Sequence, residues 1–401
     1  MSKNVTITAS KGVLAAGVAC GVKASGNLDL GLVFCPSGAT AAAMFTTNRI
    51  VSAAVEVCRK HVRSGRVYAL VVNSGNANTC TGAAGLAAAV KMCQTVGKRL
   101  GLDPGKVLVA STGIIGRKLP IDKVTAGIAK AADRLSNSAK AGLDFAHAIM
   151  TTDTRCKQAL RRVKIGTTSV TIAGTVKGAG MIGPNMATTI CVLTTDAAIS
   201  KALLQKALKD AIGTSLNRLT VDGHQSTNDT AVILASGAAG NRPINRPGAA
   251  YRKFAAALAE VTNDLTVQMA LDAEGATRMF TVRITGAANK AEAAAAARAV
   301  ADYDLVKCAV HGADPNWGRI ICAVGSCGVQ LNPKRLTCKI GGVCVFRNGQ
   351  PTQFDEARVS RIIAQKQHTI TVDLGAGKES DFCHGCDLGR EYVTINADYH
   401  T

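Results

Sequence analysis

KGAGMIGPNMATT, residues 177–189, closes a strand-like run with three glycines and a proline and then delivers two threonines. If a fold holds the hydroxyl of Thr188 against the carbonyl of Ala187, the hydroxyl can attack it. An N-to-O acyl shift followed by hydrolysis of the ester then cuts the chain. The new fragment begins with Thr188, whose free α-amino group has a reference pKa of about 7.7–8.0 and can act as base for its own hydroxyl.

Two other interpretations of this stretch have to be weighed. Glycines 178, 180 and 183 also spell G-x-G-x-x-G, the dinucleotide-binding pattern, but that pattern must open a helix. Here the chain continues through Pro184 into TTICVLTT, a β-branched run that predicts another strand. A tight connection between two strands, without any chemistry, stays open from this stretch alone. The remaining segments must decide between it and the cleavage site.

The composition is that of a globular chain that is expected to bind neither membranes nor nucleic acids. The 401 residues predict one to three domains, and 47% of them are hydrophobic. No apolar run approaches the roughly 18–20 residues that a membrane span needs. The run at 12–20 is too short and glycine-broken for a secretion signal and predicts an internal strand.

The formal net charge of +20 raises the alternative of a basic nucleic-acid-binding protein. Basic clusters occur at 59–63 and 161–164. They lack the interleaved aromatic residues of a nucleic-acid surface, so we expect them to be solvated. A basic surface also attracts carboxylate substrates.

Fourteen cysteines are dispersed along the chain, and no metal site is predicted from them. Those in apolar contexts, such as Cys191, Cys308 and Cys322, are expected to be reduced thiols that fill the core. The one tight pair, Cys383 and Cys386, forms a C-x-x-C motif. Without a second ligand pair at zinc spacing, this motif is weak evidence for a metal or redox site.

Hydrophobic periodicity predicts an α/β (α+β) fold, with mixed sheets sandwiched by helices and strands dominating the last hundred residues. Helices are predicted at 83–100, 121–135, 138–150, 199–212, 247–269 and 290–302. Strands are predicted at 67–72, 107–110, 168–176, 231–235, 279–285, 319–324, 337–346, 369–374 and 391–395. No long linker separates autonomous domains.

Polar segments at the ends of these elements can support acyl transfer, although each alone is more often turn chemistry. The Thr112 hydroxyl and the Gly113 amide can both donate to a tetrahedral oxyanion, a contribution of roughly 3 kcal/mol per donor. Lys177 can bind a carboxylate, and Glu274 can bind a substrate ammonium or carry a proton. Acyl transfer is therefore the chemistry that the polar segments favour.

Eleven segments together resemble the glutamate N-acetyltransferase family, also called ornithine acetyltransferase, of arginine biosynthesis. They are AAGVACGVK (15–23), FTTNR (45–49), VVNSGNANTCTG (71–82), STGIIG (111–116), TTDT (151–154), KGAGMIGPNMATT (177–189), TVDG (220–223), STNDT (226–230), DAEGATR (272–278), DPNWGRI (314–320) and INADYHT (395–401). The resemblance spans essentially the whole chain. Two departures are Gly183, where the family commonly has Ala, and His224 with Gln225, where it more often has Asp-Thr.

The resemblance implies self-cleavage between Ala187 and Thr188, which leaves an alpha chain of residues 1–187 and a beta chain of residues 188–401. Thr188 then takes the acetyl group of N-acetylornithine and passes it to glutamate, with Thr112 and Gly113 as the oxyanion hole. The implied substrate-binding residues are Thr152, Lys177, Thr188, Glu274, Asn396 and Thr401. The implied fold is a mixed α/β sandwich similar to self-processing aminopeptidases.

The resemblance further implies a heterotetramer of two alpha and two beta chains, with N-acetylornithine and glutamate as its small-molecule partners. No cofactor is expected, and acetyl-CoA as a second acetyl donor is left open. A cytoplasmic location is expected because the chain begins without an Arg-rich presequence. The rival activity is an N-terminal-nucleophile hydrolase or aminopeptidase of similar fold, which passes its acyl group to water.

Overall fold

The computed structural model describes residues 5–183 and 189–398. The strands in these ranges are β1 (Leu14–Val18), β2 (Leu30–Phe45), β3 (Arg66–Asn76), β4 (Val107–Ile114), β5 (Lys157–Ile165), β6 (Thr168–Lys177), β7 (Ile190–Thr195), β8 (Thr230–Ala235), β9 (Met279–Ala287), β10 (Thr337–Ile340), β11 (Val343–Arg347), β12 (Gln350–Pro351), β13 (Gln367–Asp373) and β14 (Glu379–Cys386). The α-helices are α1 (Ala53–His61), α2 (Gly82–Leu100), α3 (Ile121–Asp133), α4 (Ala139–Ala148), α5 (Lys201–Gly213), α6 (Ala249–Leu271), α7 (Lys290–Asp302), α8 (Asp304–His311), α9 (Trp317–Ser326), α10 (Glu356–Ile363) and α11 (Arg390–Asp398). Short 3-10 helices lie at Ile7–Ala9, Val62–Ser64, Pro104–Lys106 and Leu216–Arg218.

The first sheet has the strand order β4-β3-β2-β8-β7-β6-β5, and β1 pairs with the first half of β2. The pairs β3–β4 and β7–β8 are parallel, and the other pairs of this sheet are antiparallel. The sheet is therefore mixed. Strands β7 and β8 lie in its middle, between two strands from the first half of the chain.

Helices cover the first sheet on both faces. Alternate side chains of a strand point to opposite faces, and here neighbouring residues of one strand pack against different helices. Val71 of β3 belongs to a hydrophobic cluster with Met92 of α2 and Ile128 of α3. Its neighbour Leu70 belongs to another cluster, with Phe145 of α4. Nearer the β5 edge, Leu193 of β7 lies in a cluster supplied by α5 and α6. The predicted sandwich of helices around a mixed sheet is confirmed.

The second sheet has the order β12-β11-β10-β13-β9-β14, and its only parallel pair among the described strands is β13–β9. One face of this sheet packs on α7, α9 and α10 around Val282, Ile370 and Val372. Thr369, between Ile370 and His368 on β13, is exposed. This alternation is typical of a sheet with one covered face and one open face. Within the described ranges, no helix is both long enough and apolar enough to cross a membrane.

Two predicted strands near the carboxyl end are wrong. Residues 319–324 lie in helix α9, where Ile320, Ala323 and Val324 are buried at helical spacing. Residues 391–395 lie in helix α11, in which no described side chain is fully buried, so apolar periodicity gave no signal for a helix. The strand predicted at 337–346 is a hairpin of β10 and β11 that turns at Gly341 and Gly342.

The cysteine predictions are partly wrong. All fourteen cysteines are free thiols, and Cys191 is buried as expected. Cys308 and Cys322 are exposed, because helices α8 and α9 turn other residues toward the core. Cys383 and Cys386 are both buried on β14, but they belong to two different hydrophobic clusters. The two thiols of the C-x-x-C motif therefore do not converge on one point.

Candidate active site

A cavity of about 310 Å³ lies at the end of β6. Its walls include all six of the predicted site residues that the structure describes: Thr112, Gly113, Thr152, Lys177, Glu274 and Asn396. The other predicted site residues, Ala187, Thr188 and Thr401, lie outside the described residues. Side chains that are up to 284 positions apart along the sequence, from 112 to 396, thus line one cavity.

Lys177 is the innermost of these residues. It is the last residue of β6, pairs with Ile190 of β7 across the antiparallel ladder and is 2% exposed. Its Nζ lies 3.4 Å from the hydroxyl oxygen of Thr112. Burial lowers the pKa of Lys177, and the nearby carboxylate of Asp153 opposes that shift. An anion bound in the cavity would stabilise the ammonium form of this side chain.

A buried ion network lies next to Lys177. Lys157 Nζ lies 2.5 Å from Asp153 Oδ1 and 2.5 Å from Asp272 Oδ2, and the three charged side chains are almost fully buried. Thr154 donates to Asp272 through its backbone N–H, at 3.2 Å, and through its hydroxyl. Since buried charges are tolerated only when they are paired and hydrogen-bonded, this network is a tightly constrained part of the site.

Asp153 connects the network to the end of β6. Its Oδ1 accepts the backbone N–H of Gly178 at 2.7 Å, next to Lys177. Burial by itself would raise the pKa of Asp153, but the charges of Lys157 and Lys177 and the Gly178 N–H outweigh burial and lower it to about 2. Asp153 is therefore ionised at neutral pH. Thr152, the neighbour of Asp153 in the segment that follows α4, lines the cavity.

Thr112 and Gly113 lie at the end of β4, where this strand and β3 have an irregular register. Gly113 has a φ of 130°, and a Cβ at this position would lie 2.4 Å from the carbonyl carbon of Gly75. Only glycine fits this conformation and this approach. Thr112 and Gly113 are thus neighbouring residues of the cavity wall.

Glu274 and Asn396 also line the cavity. The N–H of Glu274 donates to the carbonyl of Ala179 at 2.9 Å, and its carboxylate lies so close over Gly180 that a Cβ there would be 2.2 Å from an oxygen. Asn396 of α11 donates from Nδ2 to Glu274 Oε2 at 2.9 Å. This bond holds the carboxyl-terminal helix against the cavity.

Two aspartates that the sequence analysis did not assign also belong to this region. Asp222 accepts the backbone N–H groups of Met181 and Ile182, at 2.7 and 2.9 Å, and the hydroxyl of Tyr392, at 3.1 Å. Burial and the charge of Asp222 raise the pKa of Tyr392. Asp229 is fully buried and accepts the N–H of Thr189 at 2.8 Å.

The missed residues differ in how far the sequence pointed to them. Asp222 lies within TVDG and Asp229 within STNDT, two of the segments that carry the family resemblance, but the resemblance assigned no role to either aspartate. Nothing in the sequence pointed to Tyr392 as a site residue, because its helix was predicted as a strand. His224, which departs from the family pattern, also lines the cavity.

Helices on both faces of a mixed sheet define the class as an α/β protein, and the cavity at the end of β6 is its candidate active site. The family model described as the ArgJ family matches residues 14–401. The chain therefore belongs to the ArgJ family.

Individual relatives agree with this assignment. The arginine biosynthesis bifunctional protein ArgJ of Symbiobacterium thermophilum is 45% identical over 397 residues, which are 98% of each chain. The protein of the same name from Shouchella clausii is 42% identical over 99% of this chain and 96% of that relative. A crystal structure of arginine biosynthesis bifunctional protein ArgJ from Bacillus halodurans, with 40% identity and a TM-score of 0.50, covers 51% of this chain and 97% of the solved chain.

The buried network predicts that Lys157→Met lowers the free energy of unfolding by about 3–5 kcal/mol, because Asp153 and Asp272 then lose their shared buried cation. Urea unfolding followed by circular dichroism measures this change. Lys206→Met is the matched control, since Lys206 pairs with Asp210 at 2.6 Å on the exposed surface. The control should unfold at nearly the wild-type urea concentration. Equal losses in both variants would contradict the importance of the buried network.

Proposed function

We propose that the chain transfers the acetyl group of N-acetylornithine to glutamate, with Thr188 as nucleophile and acetyl carrier in arginine biosynthesis. The observation that carries this proposal is the single cavity that collects Thr112, Gly113, Lys177 and Glu274. These residues supply the donors, the cation and the carboxylate that acyl transfer between two amino acids needs. Membership in the ArgJ family supports the same activity.

The position of the nucleophile is supported by the strand pairing. Lys177 of β6 and Ile190 of β7 face each other in the sheet, so residues 178–189 connect two neighbouring strand ends. The described parts of this connection, at Gly180 and Met181, line the cavity. A connection that starts and ends beside the cavity favours a scissile bond in the same place.

The proposed self-cleavage divides the molecule into an alpha chain of residues 1–187 and a beta chain of residues 188–401. The Thr188 hydroxyl attacks the carbonyl carbon of Ala187, the C–N bond breaks, and the nitrogen takes a proton to become a free amine. Water then hydrolyses the resulting ester and leaves a carboxylate on Ala187. The Bacillus halodurans chain, of which 97% is covered, matches only 51% of this chain, which supports a division near the middle.

In the proposed transfer, the α-amine of Thr188 accepts the proton of its own hydroxyl as the oxygen attacks the acetyl carbon. The oxyanion forms between Thr112 and Gly113, the C–N bond breaks, and the proton goes to the departing amine of ornithine. The α-amine of glutamate attacks the acetyl-threonine ester in the reverse sequence. N-Acetylglutamate leaves, and the Thr188 hydroxyl regains its proton.

The charges of the cavity suit amino-acid substrates. We assign Lys177 to the substrate carboxylate, because it is a buried amine whose ammonium form an anion would stabilise. We assign Glu274, which lines the same cavity, to the substrate ammonium, together with Asn396. Thr152 and Thr401 complete the proposed substrate-binding set.

The rest of the proposal follows the family. The fragments assemble as a heterotetramer of two alpha and two beta chains in the cytoplasm. No cofactor takes part in the cycle, because the acetyl group stays on Thr188 between the two substrates. Acetyl-CoA is a second acetyl donor only if N-acetylglutamate forms from acetyl-CoA and glutamate when acetylornithine is left out. An assay of N-acetylglutamate formation measures this.

Release of ornithine from N-acetylornithine, measured with and without glutamate, tests the proposed transfer. We expect sustained release only when glutamate is present, with an equal amount of N-acetylglutamate formed. A hydrolase passes the acetyl group to water, so its ornithine release would not respond to glutamate. Ornithine release at the same rate with and without glutamate would therefore contradict the transferase and indicate a hydrolase.

Thr112→Val tests the oxyanion hole, since valine keeps the shape of threonine and removes the donor. We expect kcat to fall by roughly 10²–10³-fold, with a smaller change in KM, because the lost bond forms chiefly in the transition state. The control is Thr125→Val on the exposed face of α3, where the hydroxyl donates only to the helix backbone. A Thr112→Val enzyme with wild-type kcat would remove Thr112 from the mechanism.

The strand order predicts how the two fragments behave after cleavage. Strands β7 and β8 of the proposed beta chain lie between β2 and β6 of the proposed alpha chain. The wild-type protein should therefore elute as one species under native conditions and separate into two fragments only in denaturant. Mass spectrometry should give Thr-Thr-Ile-Cys as the start of one fragment, and Thr188→Ala should stay a single chain. An uncleaved wild-type chain with full activity would contradict the proposal.

A further inference from the structure

We propose that Asp222 and Asp229 clamp the cleavage junction from its two sides and thereby align the scissile bond. Asp222 holds the segment before the junction, and Asp229 holds the first residue after Thr188. This inference rests on the proposed self-cleavage. It adds two positioning residues, both supplied by the segment that leads into β8.

The upstream contact is a set of hydrogen bonds on Met181 and Ile182. Asp222 Oδ2 accepts the N–H of Met181 at 2.7 Å, and Asp222 Oδ1 accepts the N–H of Ile182 at 2.9 Å. The N–H of Val221 donates to the carbonyl of Ile182 at 2.8 Å. Both carboxylate oxygens are therefore engaged by neighbouring amides of one segment.

The backbone of this upstream segment is strained. Met181 has a φ of 54°, in the left-handed region that is unfavourable for a non-glycine residue. Such a conformation persists only where surrounding contacts impose it. The carboxylate of Asp222, bonded to the N–H of Met181, is one of those contacts. Met181 lies three residues before Pro184 in the sequence.

The downstream contact fixes Thr189. Its N–H donates to Asp229 Oδ1 at 2.8 Å, and its carbonyl accepts the N–H of Thr230 at 2.8 Å. Asp229 is fully buried, and burial raises its pKa well above the usual range, against the opposing effects of the Thr189 N–H and the charge of Lys177. A neutral carboxyl still accepts an N–H through its carbonyl oxygen, so the contact does not depend on charge.

The clamp is tied to the proposed oxyanion hole. Asn228, beside Asp229, donates from Nδ2 to the carbonyls of Ala77 and Ser111, both at 2.7 Å. Ser111 precedes Thr112 on β4. One short segment thus fixes both flanks of the junction relative to the donors that would receive its oxyanion. Alignment of this kind is a large part of what an intramolecular attack needs.

Four variants of the full chain test the clamp, with the rate of self-cleavage in the newly folded precursor as the readout. Asp222→Ala and Asp229→Ala should slow cleavage at least tenfold. The matched control is Asp196→Ala, because Asp196 is buried at the far end of β7 and accepts the Thr171 N–H at 2.7 Å. The control loses a similar bond and should cleave at the wild-type rate.

The asparagine variants separate a positioning role from a general loss of stability. Asp229 uses one oxygen for Thr189, which an asparagine carbonyl can replace, so Asp229→Asn should cleave nearly as fast as wild type. Asp222 uses both oxygens for backbone N–H groups, and asparagine has only one acceptor oxygen. Asp222→Asn should therefore be clearly slower than Asp229→Asn.

The outcomes distinguish this inference from the proposed function. A wild-type chain that is never cleaved, while Thr188→Ala behaves identically, would overturn the self-cleavage and the clamp with it. Cleavage of wild type, together with alanine variants that match Asp196→Ala, would overturn the clamp alone. If either alanine variant fails to fold, equal cleavage rates of the two asparagine variants would also reject the clamp.

Discussion

The antiparallel pairing of β6 with β7 is the constraint on which the cavity depends. It sets Lys177 opposite Ile190 and leaves residues 178–189 to connect two adjacent strand ends. Lys177 lines the cavity together with Thr112 and Gly113 of β4 and with Glu274. A shift of one residue in this register would turn Lys177 to the other face of the sheet. The register of one strand pair therefore decides whether a cation reaches the site.

Because Lys177 is buried, its ammonium form requires nearby charges that stabilise it. A lone ammonium at this depth would be too costly, and a single carboxylate in direct contact would occupy the group that a substrate has to reach. The chain instead pairs two carboxylates, Asp153 and Asp272, with Lys157. Asp153 also faces Lys177 through space without an ion-pair contact among the described bonds. Lys177 is thus stabilised at a distance and keeps its Nζ near Thr112.

Much of this arrangement could be predicted from the sequence, and the reason differs from residue to residue. The mixed α/β fold follows from periodicity, since its buried strands and helices carry clear apolar patterns. Thr112, Gly113, Lys177 and Glu274 lie in short polar motifs that resemble a known family. Asp222 could not be assigned, because its partners are backbone amides about 40 residues away whose positions depend on the folded sheet. Helix α11 was missed because it buries no described side chain fully.

The strand order also constrains when the proposed cleavage can occur. The proposed alpha chain supplies Thr112, Gly113 and Lys177, whereas the proposed beta chain supplies Glu274 and the Asp222 that holds Met181. Thr112 and Lys177 line one cavity in a sheet in which β7 and β8 lie between β2 and β6. Folding must therefore precede the proposed cleavage, and the sheet that assembles the site would also keep the two proposed fragments together afterwards. Because β7 and β8 are hydrogen-bonded to β6 and β2 on either side, breaking the proposed Ala187–Thr188 bond would leave the strands that line the cavity paired.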